Sequence, residues 1–139
     1  MITGADIAAE ARRWLAIPYV HQGRSFHGVD CVGLIICVRD AVEAWPAGML
    51  AIRNYARAPT DGLLLELLAQ HCTRISVLEE GCLLAIRWPL AKHSSHLALY
   101  AGGSIIHAYQ RAGKVVETGY RAHWLRYTSS MWRLPGVGK

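Results

Sequence analysis

The spacing of hydrophobic positions changes partway along the chain. Before His71, Ile7, Ala8, Ala11, Trp14 and Leu15 recur at the three- and four-residue intervals of one helical face. Thr3 followed by Asp6 resembles a capping box that starts this helix, and Pro18 disfavours helical backbone at Ile17 and stops it. Asp30 offers an N-cap for a second helix through Val38 and Val42, ended near Pro46 and Gly48. Asp61 offers a cap to a third, with Leu64, Leu67 and Leu68 turned to the core. Beyond His71 the runs shorten. Residues 82–86 follow Gly81 as a buried strand stopped by Pro89, and two strands, 96–100 and 104–109, flank Gly102-Gly103 as a hairpin. Gly113 turns a further hairpin into 114–118, and 130–134 form a last strand. Helices first and antiparallel strands later predict an α+β fold, as one domain over residues 1–139.

Composition narrows this picture. A chain of 139 residues, 53% hydrophobic and 18% charged, is not a disordered one. Its apolar runs, such as those near 32–38 and 82–86, fall far short of the ~20 residues that span a bilayer, so no membrane insertion is expected. Asp6, Glu10, Arg12 and Arg13 near the start predict no signal peptide, hence a chain that is cytoplasmic as synthesised. The net charge of +5 rests on basic residues that, beyond the Arg12-Arg13 pair, are scattered singly and form no Lys/Arg-rich run, which predicts no nucleic-acid partner and leaves open an anionic polymer of another kind. Cys31, Cys37, Cys72 and Cys82 form no CxxC pair, so mostly buried, reduced thiols are the default.

The stretch Gly28-Val29-Asp30-Cys31-Val32-Gly33-Leu34 concentrates the candidate chemistry. A helix capped by Asp30 puts Cys31 in its first turn, beside unsatisfied N–H groups and the positive end of the helix dipole, where a thiolate is favoured. Gly33 one turn in costs roughly 0.5–1 kcal/mol of helix propensity, so something there needs the side chain to be missing. The plain alternative is a buried cysteine in an amphipathic helix, which describes Cys37 better. A thiolate needs a base. With a two-residue Gly102-Gly103 loop, Ala101 faces Ser104 and His107 faces Ala98, which puts His96 and His107 on one face as diagonal neighbours. One imidazole then serves as base and the other orients it. A three-residue loop would separate them. His27 with Cys31, and His93 with His96, have usable metal-ligand spacings, but no HExxH or paired-Cys element completes a site, so the expectation is no metal and no cofactor.

At these residues the chain resembles the NlpC-type cell-wall cysteine peptidases. The likeness is carried by Gly28-Val29-Asp30-Cys31-Val32-Gly33-Leu34, by His96-Leu97-Ala98-Leu99-Tyr100 and Ile106-His107-Ala108, and by Ile17-Pro18-Tyr19 upstream. It implies a papain-like core of N-terminal helices packed on an antiparallel sheet, and hydrolysis of amide bonds in peptidoglycan stem peptides. Cys31 matches the nucleophile, His96 the base, His107 the third, orienting residue, and Tyr19 the tyrosine whose hydroxyl faces the nucleophile. Asp30 and Tyr19 are the residues expected at the oxyanion and substrate. Val32 stands where the family usually has Ser. Together with Gly33-Leu34 and His107-Ala108-Tyr109, it looks more like the phage-tail and gene-transfer-agent subgroup, which implies tail-tip proteins as partners and a tail-associated setting. An acyltransferase or amidase on another substrate, a non-catalytic tail component and a secreted antibacterial effector are the alternatives.

Overall fold

The computed structural model of the chain describes residues 1–42 and 62–138. The helix end expected near Pro46 and Gly48, and the Asp61 cap, lie outside the described residues. The chain opens with β1 (Ile2–Thr3) and α1 (Gly4–Arg12), and the capping box is formed: Thr3 Oγ1 accepts the Asp6 N–H while Asp6 Oδ2 accepts the Thr3 N–H. α1 ends at Arg12, earlier than the apolar spacing through Trp14 and Leu15 suggests. The Ile17 carbonyl accepts the Val115 N–H at 2.9 Å and Ala16 adopts a positive φ of 72°, so the segment before Pro18 leaves the helix to join the sheet edge.

A two-stranded ribbon, β2 (Arg24–Ser25) with β3 (Gly28–Val29), leads into α2 (Cys31–Val42). α3 (Leu63–His71) follows, and Leu64 and Leu68 are its buried positions. The remaining strands are β4 (Thr73–Ile75), β5 (Leu83–Ile86), β6 (His96–Tyr100), β7 (Ser104–Tyr109) and β8 (Lys114–Gly119). The short helix α4 (His123–Tyr127) precedes β9 (Thr128–Arg133) and β10 (Val137–Gly138). Six of the strands form one antiparallel sheet in the order β4-β9-β5-β6-β7-β8, and β10 pairs with β1 in parallel. The expected α+β architecture is therefore present.

Both faces of the sheet are covered, which explains why the run from Cys82 to Ile86 is apolar throughout rather than alternating. Leu83, Ala85, Leu97, Leu99, Ile106 and Ala108 pack under α1, α2 and α3. Leu84, Ile86, Ala98 and Ile105 pack on the other side with Trp124 of α4. The period of two thus sorts residues between two cores rather than between core and water. No helix among the described residues is long and apolar enough to cross a membrane.

Candidate active site

α2 starts where it does because Asp30 closes its first turn. The Asp30 Oδ1 accepts the Gly33 N–H at 2.7 Å, and the Asp30 carbonyl accepts the Leu34 N–H at 2.9 Å. The other carboxylate oxygen accepts the Gln22 N–H at 2.7 Å, and Arg24 lies 3.6 Å from Oδ1. Asp30 is 2% exposed and does not line the cavity described below, so its place differs from the expected one at the oxyanion or substrate. Its oxygens are spent on holding the helix end and the preceding loop. Gly33 has the packing reason its propensity cost implied: a Cβ there would collide with the Gly23 carbonyl oxygen and crowd Arg24 and Asp30.

Cys31 is consequently the first residue of α2, half-buried at the end of the helix that lies against β6 and β7. The Leu97 N–H of β6 faces its sulfur, together with the N–H groups of Val32 and Cys31 itself. These donors favour a thiolate, but they do not prevail. Burial pushes the Cys31 thiol up to about 12, and the Asp30 carboxylate adds to the rise. The resting thiolate expected from the helix N-terminus is thus replaced by a protonated thiol.

The hairpin has the expected register. Ala101 N–H donates to the Ser104 carbonyl at 2.8 Å, Tyr100 faces Ile105 and Leu99 faces Ile106, so Gly102-Gly103 is a two-residue loop with both glycines at positive φ. His96 and His107 are therefore brought to one face. Their rings meet directly: His96 Nε2 lies 2.7 Å from His107 Nδ1. Both are buried, His96 at 6% and His107 at 0% exposure. Burial lowers the His96 imidazole well below its usual value, with the neighbouring His107 adding to the fall, and brings His107 down to about 4. Both rings are neutral at pH 7. One must then donate and the other accept in the shared hydrogen bond. If His96 is to offer Nδ1 as a base, its proton sits on Nε2 and His107 accepts through Nδ1. The His107 proton is then on Nε2, where Thr118 Oγ1 lies 3.5 Å away.

Aromatic rings hold this pair in place. Trp88 stacks on His96 with centroids 5.4 Å apart, Tyr109 stacks on His107 at 5.1 Å, and Trp124 meets His107 edge-on at 4.9 Å. Cys31, His96 and Tyr19 all open onto one cavity of about 810 Å³, whose walls include Trp88, Tyr109, Arg111, Arg126 and Tyr127. Tyr19 reaches it because its N–H donates to the Gly113 carbonyl at 2.9 Å and its backbone bridges Val29, just ahead of Cys31. The structure thus gathers Cys31, His96, His107 and Tyr19 and leaves Asp30 behind the helix end. Sequence reasoning assigned no site role to Trp88, Tyr109 or Trp124: Trp88 lies just past β5 and Trp124 in the short α4, where no periodic signal marks them, whereas the strand period did place Tyr109 on the face of His107. Among the described residues no three His, Cys, Asp or Glu side chains converge as a metal site, so the His27/Cys31 and His93/His96 spacings gain no further ligand there.

No family model matches the chain, and no curated protein matches it either. Solved structures do. The NlpC/p60 domain of the peptidoglycan hydrolase SagA is 25% identical with a TM-score of 0.67, over 96% of this chain and 100% of that one. An NlpC/p60 family protein from Bacillus cereus is 19% identical with a TM-score of 0.69, over 95% of this chain and 40% of that one. The peptidoglycan hydrolase RipB of Mycobacterium tuberculosis is 20% identical with a TM-score of 0.60, over 94% of this chain and 63% of that one. The chain has the NlpC/p60 fold.

Proposed function

We propose that the chain is a cysteine peptidase that hydrolyses amide bonds in the stem peptides of peptidoglycan. The observation that carries this reading is the 2.7 Å contact between His96 Nε2 and His107 Nδ1, with His96 lining the cavity that Cys31 also enters from a helix N-terminus and His107 buried behind it. The similarity to the SagA domain supports peptidoglycan as the substrate class.

Because the resting thiol is protonated and His96 is neutral, the first step is general-base catalysis rather than attack by a preformed ion pair. The Cys31 sulfur attacks the amide carbonyl as its proton passes to His96 Nδ1. The imidazolium that forms donates from Nε2 to His107, a hydrogen bond strengthened by the new charge. The Cys31 N–H, which faces the sulfur at rest, is the donor this reading assigns to the developing oxyanion, with Tyr19 on the same cavity wall. The C–N bond breaks as His96 returns the proton to the leaving amine. Water, giving a proton to His96, then adds to the thioester; the C–S bond breaks, the acid leaves, and His96 returns that proton to the departing Cys31 sulfur, restoring the thiol and the neutral imidazole. The residues of the cavity supply every proton transfer in this sequence.

Incubation of purified protein with peptidoglycan, followed by mass spectrometry of the released muropeptides, tests this reading. New stem-peptide fragments are expected, absent with Cys31→Ala. Turnover of a lipid ester or acyl transfer to an added amine, with peptidoglycan left intact, would instead favour the acyltransferase alternative. The setting we propose is a phage or prophage tail, a reading supported by Val32-Gly33-Leu34 and His107-Ala108-Tyr109. Its test is proteomics of purified particles after prophage induction, where the chain should co-purify with tail-tip proteins.

A further inference from the structure

The cavity beside Cys31 has a one-sided charge. Arg111 enters it from the 3-10 turn at 110–112 that follows β7, and Arg126 enters it from α4, with His123 on the same helix. Among the described residues its lining contains no Asp and no Glu. Nor, among the described residues, does any carboxylate form an ion pair with Arg111 or Arg126; the acidic partners are taken by Arg12, Arg13, Arg24, His21 and Arg133. Arg126 also borders an adjoining depression of about 420 Å³ that contains Arg87. The cleft therefore continues past the nucleophile along arginines. A guanidinium binds a carboxylate through a planar pair of N–H groups, which fixes orientation as well as charge. The aromatic walls of Trp88, Tyr109 and Tyr127 lower the local dielectric and make such a contact stronger than one in open water.

We infer that Arg111 and Arg126 are specificity-determining residues that select a peptide carrying a free carboxylate beside the amide to be cut, over the same peptide with a carboxamide there. This deepens the proposed peptidase reading and rests on it for the identity of the cut bond. Because both arginines are exposed, the preference is screened by salt and moderate in size.

Two synthetic stem peptides, identical except for a free carboxylate or a carboxamide next to the scissile bond, provide the test. Binding to the Cys31→Ala protein is followed by tryptophan fluorescence, since Trp88 and Trp124 adjoin the site. Cleavage by the wild-type protein is measured separately. The free acid should bind about tenfold more tightly at low salt, an advantage that shrinks as salt is raised. The ratio between the peptides should fall close to one with Arg111→Gln and Arg126→Gln combined, and should invert with Arg126→Glu. Equal binding of the two peptides, binding of neither, or a preference that survives in the double variant would overturn the inference. A preference for the acid without cleavage of either peptide would leave the arginine assignment standing and remove the peptidase reading. Cleavage of both without preference would do the reverse. Circular dichroism of each variant separates lost recognition from lost folding.

Discussion

His96 and His107 share a 2.7 Å hydrogen bond through Nε2 and Nδ1, which leaves Nδ1 as the one His96 nitrogen open to proton exchange. The bond divides the work unequally. His96 moves protons, whereas His107 selects the tautomer that can receive them. His96→Ala should therefore abolish turnover as completely as Cys31→Ala. His107→Gln or His107→Asn should retain measurable activity, because an amide oxygen can accept the Nε2–H, and His107→Ala should lose more. Steady-state rates on a stem peptide decide the order. An active His96→Ala protein, or a dead His107→Gln protein with normal circular dichroism, would refute the division.

Two buried neutral imidazoles also tie stability to pH. His107 is held at about 4, below its ordinary 6.5, and His96 is lowered too, so the unfolded chain binds more protons than the folded one in this interval. Stability is full above about pH 6.5 and is lost as the pH falls toward 4. His107 alone accounts for about 3 kcal/mol of that loss. Denaturant midpoints between pH 7 and 4 should fall accordingly, and the fall should be smaller in His107→Gln. A flat profile would show that the rings are solvated.

Gly33→Ala isolates a purely steric demand. The new methyl would meet the Gly23 carbonyl oxygen and crowd both Arg24 and Asp30, so the ribbon ahead of α2 or the helix end must shift. The gain in helix propensity is outweighed, and a net loss of about 1–3 kcal/mol is expected, read from chemical denaturation. Activity should drop as well, because Cys31 is two residues away. A stabilised variant would mean that the ribbon gives way freely.

Legibility in the sequence followed the locality of each constraint. The Thr3–Asp6 capping box, the Asp30 cap and the Gly102-Gly103 register depend on a few adjacent residues, and from them Cys31, His96 and His107 fell into place. Ladder arithmetic is sufficient there because a two-residue loop admits one pairing. The ribbon at β2 and β3, three-residue β4 and five-residue α4 are too short for a hydrophobic period to develop. Tyr109 meets His107 from the same strand, two residues on, but Trp88 and Trp124 come from separate elements, so their convergence on the histidines needs the whole sheet. The upward shift of the Cys31 thiol escapes the sequence for a related reason. A helix N-terminus is visible in sequence, but burial of the sulfur and the fixed distance of a carboxylate are not.

That carboxylate makes Asp30 the most instructive residue to change. It caps α2 and, from one position before Cys31, opposes loss of the thiol proton, while burial does most to hold the thiol near 12. Asp30→Asn keeps an oxygen that can accept the Gly33 N–H but removes the charge. The Cys31 pKa should then fall, and iodoacetamide should label Cys31 faster at neutral pH than in the wild type. In the wild type the labelling rate should still be climbing above pH 9, since a protonated thiol is the resting form. Asp30→Ala also removes the charge but leaves the Gly33 N–H without its acceptor, so it should lower stability by about 0.5–2 kcal/mol. Rate-against-pH curves for the three proteins, with peptide mapping to confirm Cys31 as the labelled site, separate the two effects. A wild-type curve that plateaus near pH 5 would establish a thiolate–imidazolium pair instead. Asp30→Asn labelling no faster than wild type would show that burial alone sets the thiol, and that Asp30 serves the helix end and nothing further.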